Sequence, residues 1–314
     1  MTRVRHRIEY AVALAARALV RVLPRRVSLG CGELLGRLFH GLYGARRELA
    51  VKNLQFAFPS RSEADCRAIL RSAFAHAGRH VIDMLNFETL SPEEMTRLVE
   101  VEGGAHVERA MAGGRGVMFF SGHFGYWELQ VMAHAARFTP MVLVVRPLDN
   151  PLLERLLERV RTRVGTRLVR RRGAVRGLLR ALHEKASVGL MIDQHMHDRS
   201  AVTVEFFGRP SATTSALAAL ALRTGAPILP VFTMPLPDGR YRVAYGPPVA
   251  PPAADDADPV RTWTQRCTDV LETYVRQHPD LWLWMHRRWR VPAAEGQGAA
   301  PAGRPLPTRE ELPR

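Results

Sequence analysis

With 314 residues, 46% of them apolar and 24% charged, the chain can bury a large core without disulfides or metals. This is not the composition of a disordered, collagen-like or polytopic membrane protein. Forty-five basic residues against 30 acidic ones leave a formal net charge of +15, and all of the basic residues except Lys52 and Lys185 are arginines. Such an excess calls for an acidic partner, and the arginine fork suits nucleic acid, phospholipid headgroups and phosphorylated substrates alike. Cys31, Cys66 and Cys267 are too scattered for a disulfide framework or a cysteine zinc site, which points to a reducing cytoplasm.

Taken in chain order, the first feature is Tyr10 to Leu23, apolar but interrupted by Arg17 and Arg21 and shorter than the ~20 residues of a spanning helix. Two arginines one turn apart on an Ala/Leu/Val surface match a helix lying in a membrane interface. A helix packed on the protein body fits the same pattern. Val27 to Tyr43 continues the apolar surface through Leu34, Leu35, Leu38, Phe39 and Leu42. Eleven basic residues and three acids up to Lys52 suit an anionic membrane leaflet. Residues 1–45 are therefore expected to be interfacial anchoring helices, preceding a domain over 46–292.

Residues 62–86 read as a helix, opened by a Ser62/Asp65 cap with Ile69, Leu70, Phe74, Val81 and Ile82 on its apolar face. Ser91-Pro92-Glu93-Glu94 opens a short helix to about Val99. The pattern then changes. Apolar runs at Val117–Ser121, Met141–Arg146, Val188–Asp193 and Ile228–Met234 alternate with helical stretches near 126–137, 151–164, 174–185 and 213–224. This predicts an α/β fold with a mixed or mostly parallel central sheet flanked by helices, and chemistry where strands give way to helices. A last helix, from Asp258-Pro259 to about His278, turns Trp263, Cys267 and Leu271 inward. Residues 293–314, rich in Pro, Ala and Gly, read as a disordered tail.

The most informative strand-to-helix junction is Ser121-Gly122-His123-Phe124-Gly125-Tyr126-Trp127-Glu128. A neutral imidazole is a competent general base near pH 7, and a carboxylate on its other nitrogen fixes the tautomer. Five residues apart on a helix, His123 and Glu128 would point ~140° away from each other. They can meet only if His123 lies in the loop before the helix. Ser121 lacks the G-x-S-x-G elbow of a serine hydrolase.

The segment Gly122 to Glu128 resembles the G-H-F-G-N-W-E signature of the bacterial lipid A biosynthesis (late) acyltransferases, in the lysophospholipid acyltransferase-like superfamily, with Tyr126 where Asn is usual. VKNLQFAFP (51–59), Arg146-Pro147-Leu148-Asp149-Asn150-Pro151, Asp193-Gln194 with Phe206-Phe207-Gly208 and Thr213-Thr214, and LWLWMHRR (281–288) are similar to further family blocks in the same order. The resemblance implies transfer of a fatty acyl chain from a thioester, on acyl carrier protein or CoA, to a hydroxyl of an anionic glycolipid such as a lipid A precursor. It implies His123 and Glu128 as the catalytic pair, without cofactor or metal. Gly122, Arg146, Asn150 and Asp193 are the candidate substrate-binding residues, Arg146 either for the oxyanion or for a substrate phosphate. A groove for the acyl chain is expected beside the His123 loop, and the location is the cytoplasmic face of the inner membrane. Another glycolipid or lysolipid acceptor, for example a phosphoinositol mannoside, is the alternative.

Between Arg155 and Arg180 there are ten arginines and one acid, Glu158. A block so poorly compensated fits an anion such as a glycolipid phosphate or an acidic carrier protein. A non-enzymatic protein binding anionic lipid or nucleic acid would carry the same patch, but it has no interleaved aromatics and no nucleic-acid motif. His195 and His197 have the spacing of metal ligands on a strand but lack a third partner. Trp282, Trp284 and Trp289 with Arg287, Arg288 and Arg290 are either an interfacial belt or core.

Overall fold

The computed structural model describes residues 2–87, 90–171, 173–197 and 200–289; the expected tail, 293–314, lies outside them. Four helices come first: α1 (Thr2–Val22), α2 (Arg25–Leu42), α3 (Gly44–Ala57) and α4 (Glu63–Phe87). The Ser62 cap is made, with the Asp65 amide donating to Oγ at 3.1 Å. On α4 the buried face differs from the expected one. Val81 is exposed, and His80 and Asp83 are buried in its place. Asp83 tolerates burial because Arg25 reaches it at 3.2 Å and the Tyr241 hydroxyl donates to it. Burial nevertheless pushes its carboxyl up to about 6, against the pull of Arg25.

The helix α5 (Pro92–Leu98) starts on a complete capping box, Ser91 Oγ accepting from the Glu94 amide at 3.2 Å and the Glu94 carboxylate accepting from the Ser91 amide at 2.7 Å. There follow β1 (Val99–Glu102), α6 (Gly104–Ala112), β2 (Val117–Ser121), α7 (Trp127–Arg137), β3 (Met141–Val145), α8 (Pro151–Thr162), β4 (Arg167–Arg170), α9 (Ala174–His183) and β5 (Ser187–Met191). The hairpin β6 (Ala201–Phe206) and β7 (Arg209–Thr214), α10 (Ala216–Thr224), β8 (Ile228–Pro235), β9 (Tyr241–Tyr245) and α11 (Pro259–Gln277) complete the order. Thr213 and Thr214, read as the start of a helix, instead end β7.

Seven strands form one sheet in the order β1-β9-β8-β2-β5-β3-β4, parallel throughout except for the β8–β9 pair. β2 is central and wholly buried, as a strand covered on both faces must be. Alternation sends Met118 and Phe120 to a core shared with α3, α9, α10 and α11. It sends Val117 and Phe119 to a second core with α6 and α7. Because β2, β5, β3, β4 and β8 all run the same way, the residues following each of them share one edge of the sheet. The fold is therefore the expected α/β arrangement with a mostly parallel sheet.

The helices α1 and α2 pack on α4 through Val20, Leu29, Ile82 and Leu85. Where α2 crosses α4 the backbones touch: a Cβ on Gly36 would lie 2.0 Å from the Phe74 carbonyl oxygen, and one on Gly78 2.0 Å from that of Gly32. Gly41, on the same helix, has nothing within 4 Å. Gly36→Ala is therefore expected to destabilise the fold by about 1–3 kcal/mol through overpacking. Gly41→Ala should be neutral or gain up to about 1 kcal/mol from helix propensity. Chemical denaturation of the two variants side by side measures the difference.

Candidate active site

His123 sits in the five-residue turn between β2 and α7, where the glycines allow the chain to reverse. Gly125 has φ +56, and a Cβ there would lie 1.8 Å from the Thr233 carbonyl oxygen, so no other residue fits. The turn is pinned from two sides. On β8, the Thr233 carbonyl accepts from the Tyr126 amide at 3.2 Å; from the C-terminal segment, Leu281 O accepts from Gly125 N at 2.7 Å and Leu283 N donates to His123 O at 3.1 Å.

The imidazole partner is Asp193, not Glu128. β5 lies next to β2 in parallel register, with Ser121 opposite Met191, so the residue two past the end of β5 reaches the turn. The imidazole Nδ1 lies 2.8 Å from Asp193 Oδ1, and the His123 amide donates to Oδ2 at 2.8 Å. Gly122 makes the approach possible, since a Cβ there would come within 3.1 Å of the Asp193 Cβ. Asp193 is fully buried. Its Oδ2 also accepts from Trp282 Nε1 at 3.0 Å, and His286 Nε2 stands 3.9 Å away. Burial works to raise this carboxyl, but His123 and His286 outweigh it and hold it well below the usual carboxylate range. Burial likewise works to lower His123; the Asp193 charge and hydrogen bond outweigh it and leave the imidazole above its ordinary 6.5. With Nδ1 committed to Asp193, Nε2 is the free base. The His123 side chain keeps 23% of its surface, and the Gln194 side-chain nitrogen lies 3.4 Å from Nε2.

Glu128 is instead locked to Arg161 of α8, whose Nε donates to Oε2 at 2.9 Å while NH2 donates to Oε1. Glu128 opens α7 with its backbone already helical, so its side chain leaves on the α8 side of the sheet edge. Burial raises the Glu128 carboxyl, and Arg161 more than reverses this, so it remains an anion. Glu128 is buried and Arg161 half-buried, and their fields reach His123 with opposite sign. Tyr126, at the N-cap of α7, makes no side-chain cap bond. Its ring is buried against Tyr241, 4.6 Å between centroids, and His80. The Asn usual here would be a good cap; the Tyr replaces a cap with core packing.

The other candidates divide. Arg146, just past β3, is exposed and 3.8 Å from Asp149; with β5 between β3 and β2, it stands roughly two strand spacings, ~10 Å, from His123. Asn150 is buried and fully engaged. Its Oδ1 caps α8 by accepting from Leu152 N at 3.0 Å, and its Nδ2 donates to the His6 carbonyl and to Glu9 of α1 at 3.0 and 2.7 Å. Asn150 therefore ties α1 to α8 and presents no free polar atom to a ligand, which corrects its place among the substrate contacts. Ser121 Oγ is buried without a partner. The rings of His195 and His197 lie 4.6 Å apart, and among the described residues no group of three ligating side chains could hold a metal.

Four residues were not singled out as site residues from sequence alone: Gln194, Arg161, Trp282 and Arg288. Trp282 and Trp284 are core rather than a belt, and Arg288 is completely buried. Arg288 donates to Gln194 O at 3.2 Å, Ala212 O at 3.0 Å and Thr213 Oγ1 at 2.5 Å, so it fixes the segment after Asp193 against β7. Burial brings its guanidinium down to about 10. The LWLWMHRR motif marked these residues, but only the fold shows what they hold.

A partly accessible imidazole steadied by a buried acid, at the carboxyl edge of a parallel sheet, can take a proton from a bound hydroxyl. The model of the bacterial lipid A biosynthesis acyltransferase family matches residues 1–291. The chain belongs to that family and is an acyltransferase. It is 29% identical over 265 residues to a lipid A biosynthesis lauroyltransferase of Escherichia coli, covering 84% of each chain. It is 26% identical over 277 residues to a lipid A biosynthesis myristoyltransferase of the same organism, covering 87% of this chain and 84% of that one. It is also 26% identical to a phosphatidylinositol mannoside acyltransferase of Mycobacterium tuberculosis, covering 89% and 88%.

Histidine NMR distinguishes the two possible partners of the imidazole. Asp193→Asn removes the charge that favours the imidazolium, so the His123 pKa should fall, and by more than in Glu128→Gln; the opposite order would reject the pairing. Glu128→Ala should cost about 3–5 kcal/mol, because Arg161 is left half-buried without its counter-charge; equilibrium denaturation measures this.

Proposed function

We propose that the protein transfers a fatty acyl chain from a thioester, carried by acyl carrier protein or CoA, to a hydroxyl of an anionic glycolipid of the lipid A precursor class. The observation that carries this reading is the His123–Asp193 pair with its partly accessible imidazole, set within a chain whose residues 1–291 match the family model. A phosphatidylinositol mannoside-like acceptor is the second reading, supported by the mycobacterial relative.

In the proposed reaction, the acceptor hydroxyl gives its proton to Nε2 of His123 as its oxygen attacks the thioester carbonyl. Asp193 steadies the imidazolium and holds its tautomer. Four of the five backbone amides of the turn are already engaged within the fold. His123 N is bonded to Asp193, Phe124 N to Gly122 O, Gly125 N to Leu281 O and Tyr126 N to Thr233 O. Gln194, held by Arg288, is the donor near the reacting atom, and we assign it the oxyanion. The tetrahedral carbon then expels the thiolate, which takes the proton from Nε2. Arg146, exposed two strands along the edge, suits an acceptor phosphate. Glu128 and Arg161 act as one unit that sets the electrostatic background of the imidazole and ties α7 to α8.

The acyl groove expected beside His123 has no counterpart in the two cavities described, of about 500 and 540 Å3. These lie between α2 and α4, and beside Arg155 and Arg159 on α8. Among the described residues, eight of the nine arginines between 155 and 180 are exposed. Of the run, Arg161 is matched by Glu128 and Arg167 by Glu184 at 2.7 Å. The remaining charge supports docking of an acidic carrier protein or glycolipid.

Among the described residues no helix is long and apolar enough to cross a membrane. We propose that α1 and α2 seat the protein on the cytoplasmic face of the inner membrane. Val4, Ile8, Val12, Leu19 and Val22 of α1 are exposed and fall within roughly 80° of one another at 100° per residue, with Arg3, Arg7 and Arg21 on the next arc. On α2, Val27, Leu34, Leu35, Leu38, Phe39 and Leu42 are exposed as well.

His123→Ala should lower acyl transfer by about 10²–10⁴-fold or more, with an unchanged melting curve, measured by mass analysis of products from acyl carrier protein thioesters and purified glycolipids. Turnover at the wild-type rate would refute the assigned base. In vesicle sedimentation, Leu34→Glu with Leu38→Glu should release the protein from the membrane; unchanged sedimentation would reject the seating.

A further inference from the structure

A cavity of about 500 Å3 lies alongside the α2–α4 crossing, within the ~300–1,000 Å3 of small-ligand pockets, and the reaction at His123 makes no use of it. The glycine contacts bring the two backbones together, and the long side chains beside the crossing stand apart around the void. Arg37, Arg71, Arg79, His40 and His76 line it, against one carboxylate, Glu33. Glu33 takes Arg37 at 2.6 Å and Arg79 at 3.9 Å. Asp280, nearby, accepts from the Ser72 hydroxyl at 3.0 Å and stands 3.4 Å from His76 Nε2. Arg71 has neither an acid nor a hydrogen-bond partner among the described residues.

Three nitrogens of the lining residues, Arg79 Nε, His40 Nε2 and His76 Nδ1, are buried without a hydrogen-bond partner in the protein. Such groups are costly to leave unmet: Arg79 Nε, always a donor, asks for an acceptor, and the two imidazole nitrogens can be met by a hydroxyl or a water held beside it. The local field points the same way. Burial lowers the His40 imidazole and Arg47, Arg71 and Arg67 lower it further, with no carboxylate acting against them.

The position of the cavity selects the ligand. On the α2 wheel, Glu33, Arg37 and His40 form the flank between the side packed on α4 and the exposed arc of Val27, Leu34, Leu35, Leu38, Phe39 and Leu42. A molecule bound by its anion in the cavity therefore has apolar helix surface beside it. We propose that this cavity binds the phosphate of an anionic lipid whose chains run along the apolar face of α2. The proposal rests on the membrane seating of α2 and is independent of the chemistry at His123.

The test uses the full chain and two soluble probes, followed by calorimetry: dihexanoyl phosphatidylglycerol below its micellar concentration, and glycerol phosphate. Saturable binding of the short-chain lipid is expected, weakened at least tenfold in Arg71→Ala and in Arg79→Gln. It should be unchanged in the double variant Arg109→Ala/Arg223→Ala, which removes two positive charges elsewhere on the surface, one more than either single variant. Equal binding of glycerol phosphate would identify a site for the phosphate itself; binding of the lipid alone would show that the chains contribute. Either result upholds the phosphate site, provided that Arg71→Ala weakens it. If Arg79→Gln fails to fold, Arg71→Ala still decides, because that side chain makes no ion pair or hydrogen bond among the described residues. No saturable binding of either probe, or the same loss in the Arg109/Arg223 control, overturns the proposal. Sedimentation with phosphatidylcholine vesicles, with and without phosphatidylglycerol, tests the seating separately. Soluble binding without vesicle binding would sink the seating and leave the cavity's phosphate site standing.

Discussion

A carboxylate removed from water must have its oxygens met by donors, and Asp193 meets that demand with the His123 imidazole, the His123 amide and the Trp282 indole. Those donors come from the turn after β2 and from the C-terminal segment, while the acid itself comes from the end of β5. One buried charge thus joins three stretches of chain that are distant in sequence. Loss of any one donor would leave the anion short of partners in a low-dielectric site, where that is expensive. The imidazole is in this way positioned before any substrate arrives, and Nε2 is the atom left to react.

A second charge pair works at larger scale. Glu128 and Arg161 bind the start of α7 to the end of α8, and α8 is in turn tied to α1 through Asn150. The N-terminal helix is thus connected by named hydrogen bonds to the helix whose partner begins beside His123. Packing on the body and an exposed apolar arc are compatible on α1, because they occupy different sides of the helix. The two patterns that sequence offered for this segment, body-packed and interfacial, are therefore not exclusive.

Local signals read well from the sequence. The Ser62 and Ser91 caps form as their side-chain chemistry dictates, and β2 matches its apolar run at both ends. Helices α7, α8, α9 and α11 lie within about two residues of the expected bounds at each end. What went unread were the helices α3 and α6 and the short strands β1, β4, β9 and the β6–β7 hairpin. Three of these are sheet-edge strands or their neighbours, and a strand of four or five residues carries too few alternations to stand out from a loop. Val81 was expected inside on helical spacing and lies outside, because the buried face turns instead to Asp83, met by Arg25 and Tyr241, and to His80, whose ring packs on Tyr126 and Trp127.

His123 itself was legible, since a histidine in a glycine-flanked turn after an apolar strand and before a helix occurs at the place where parallel sheets collect chemistry. Its partner was not. Glu128 lies five residues away and Asp193 seventy, and sequence proximity favoured the first. Residue types and local spacing determine which segments become strands, turns and helices, because those depend on backbone and side-chain preferences within a few residues. Which acid faces the imidazole depends on strand order, and β5 inserts beside β2 only when the whole sheet assembles; that long-range pairing decided that Asp193 holds His123, and the packing of α7 on α8 decided that Glu128 holds Arg161.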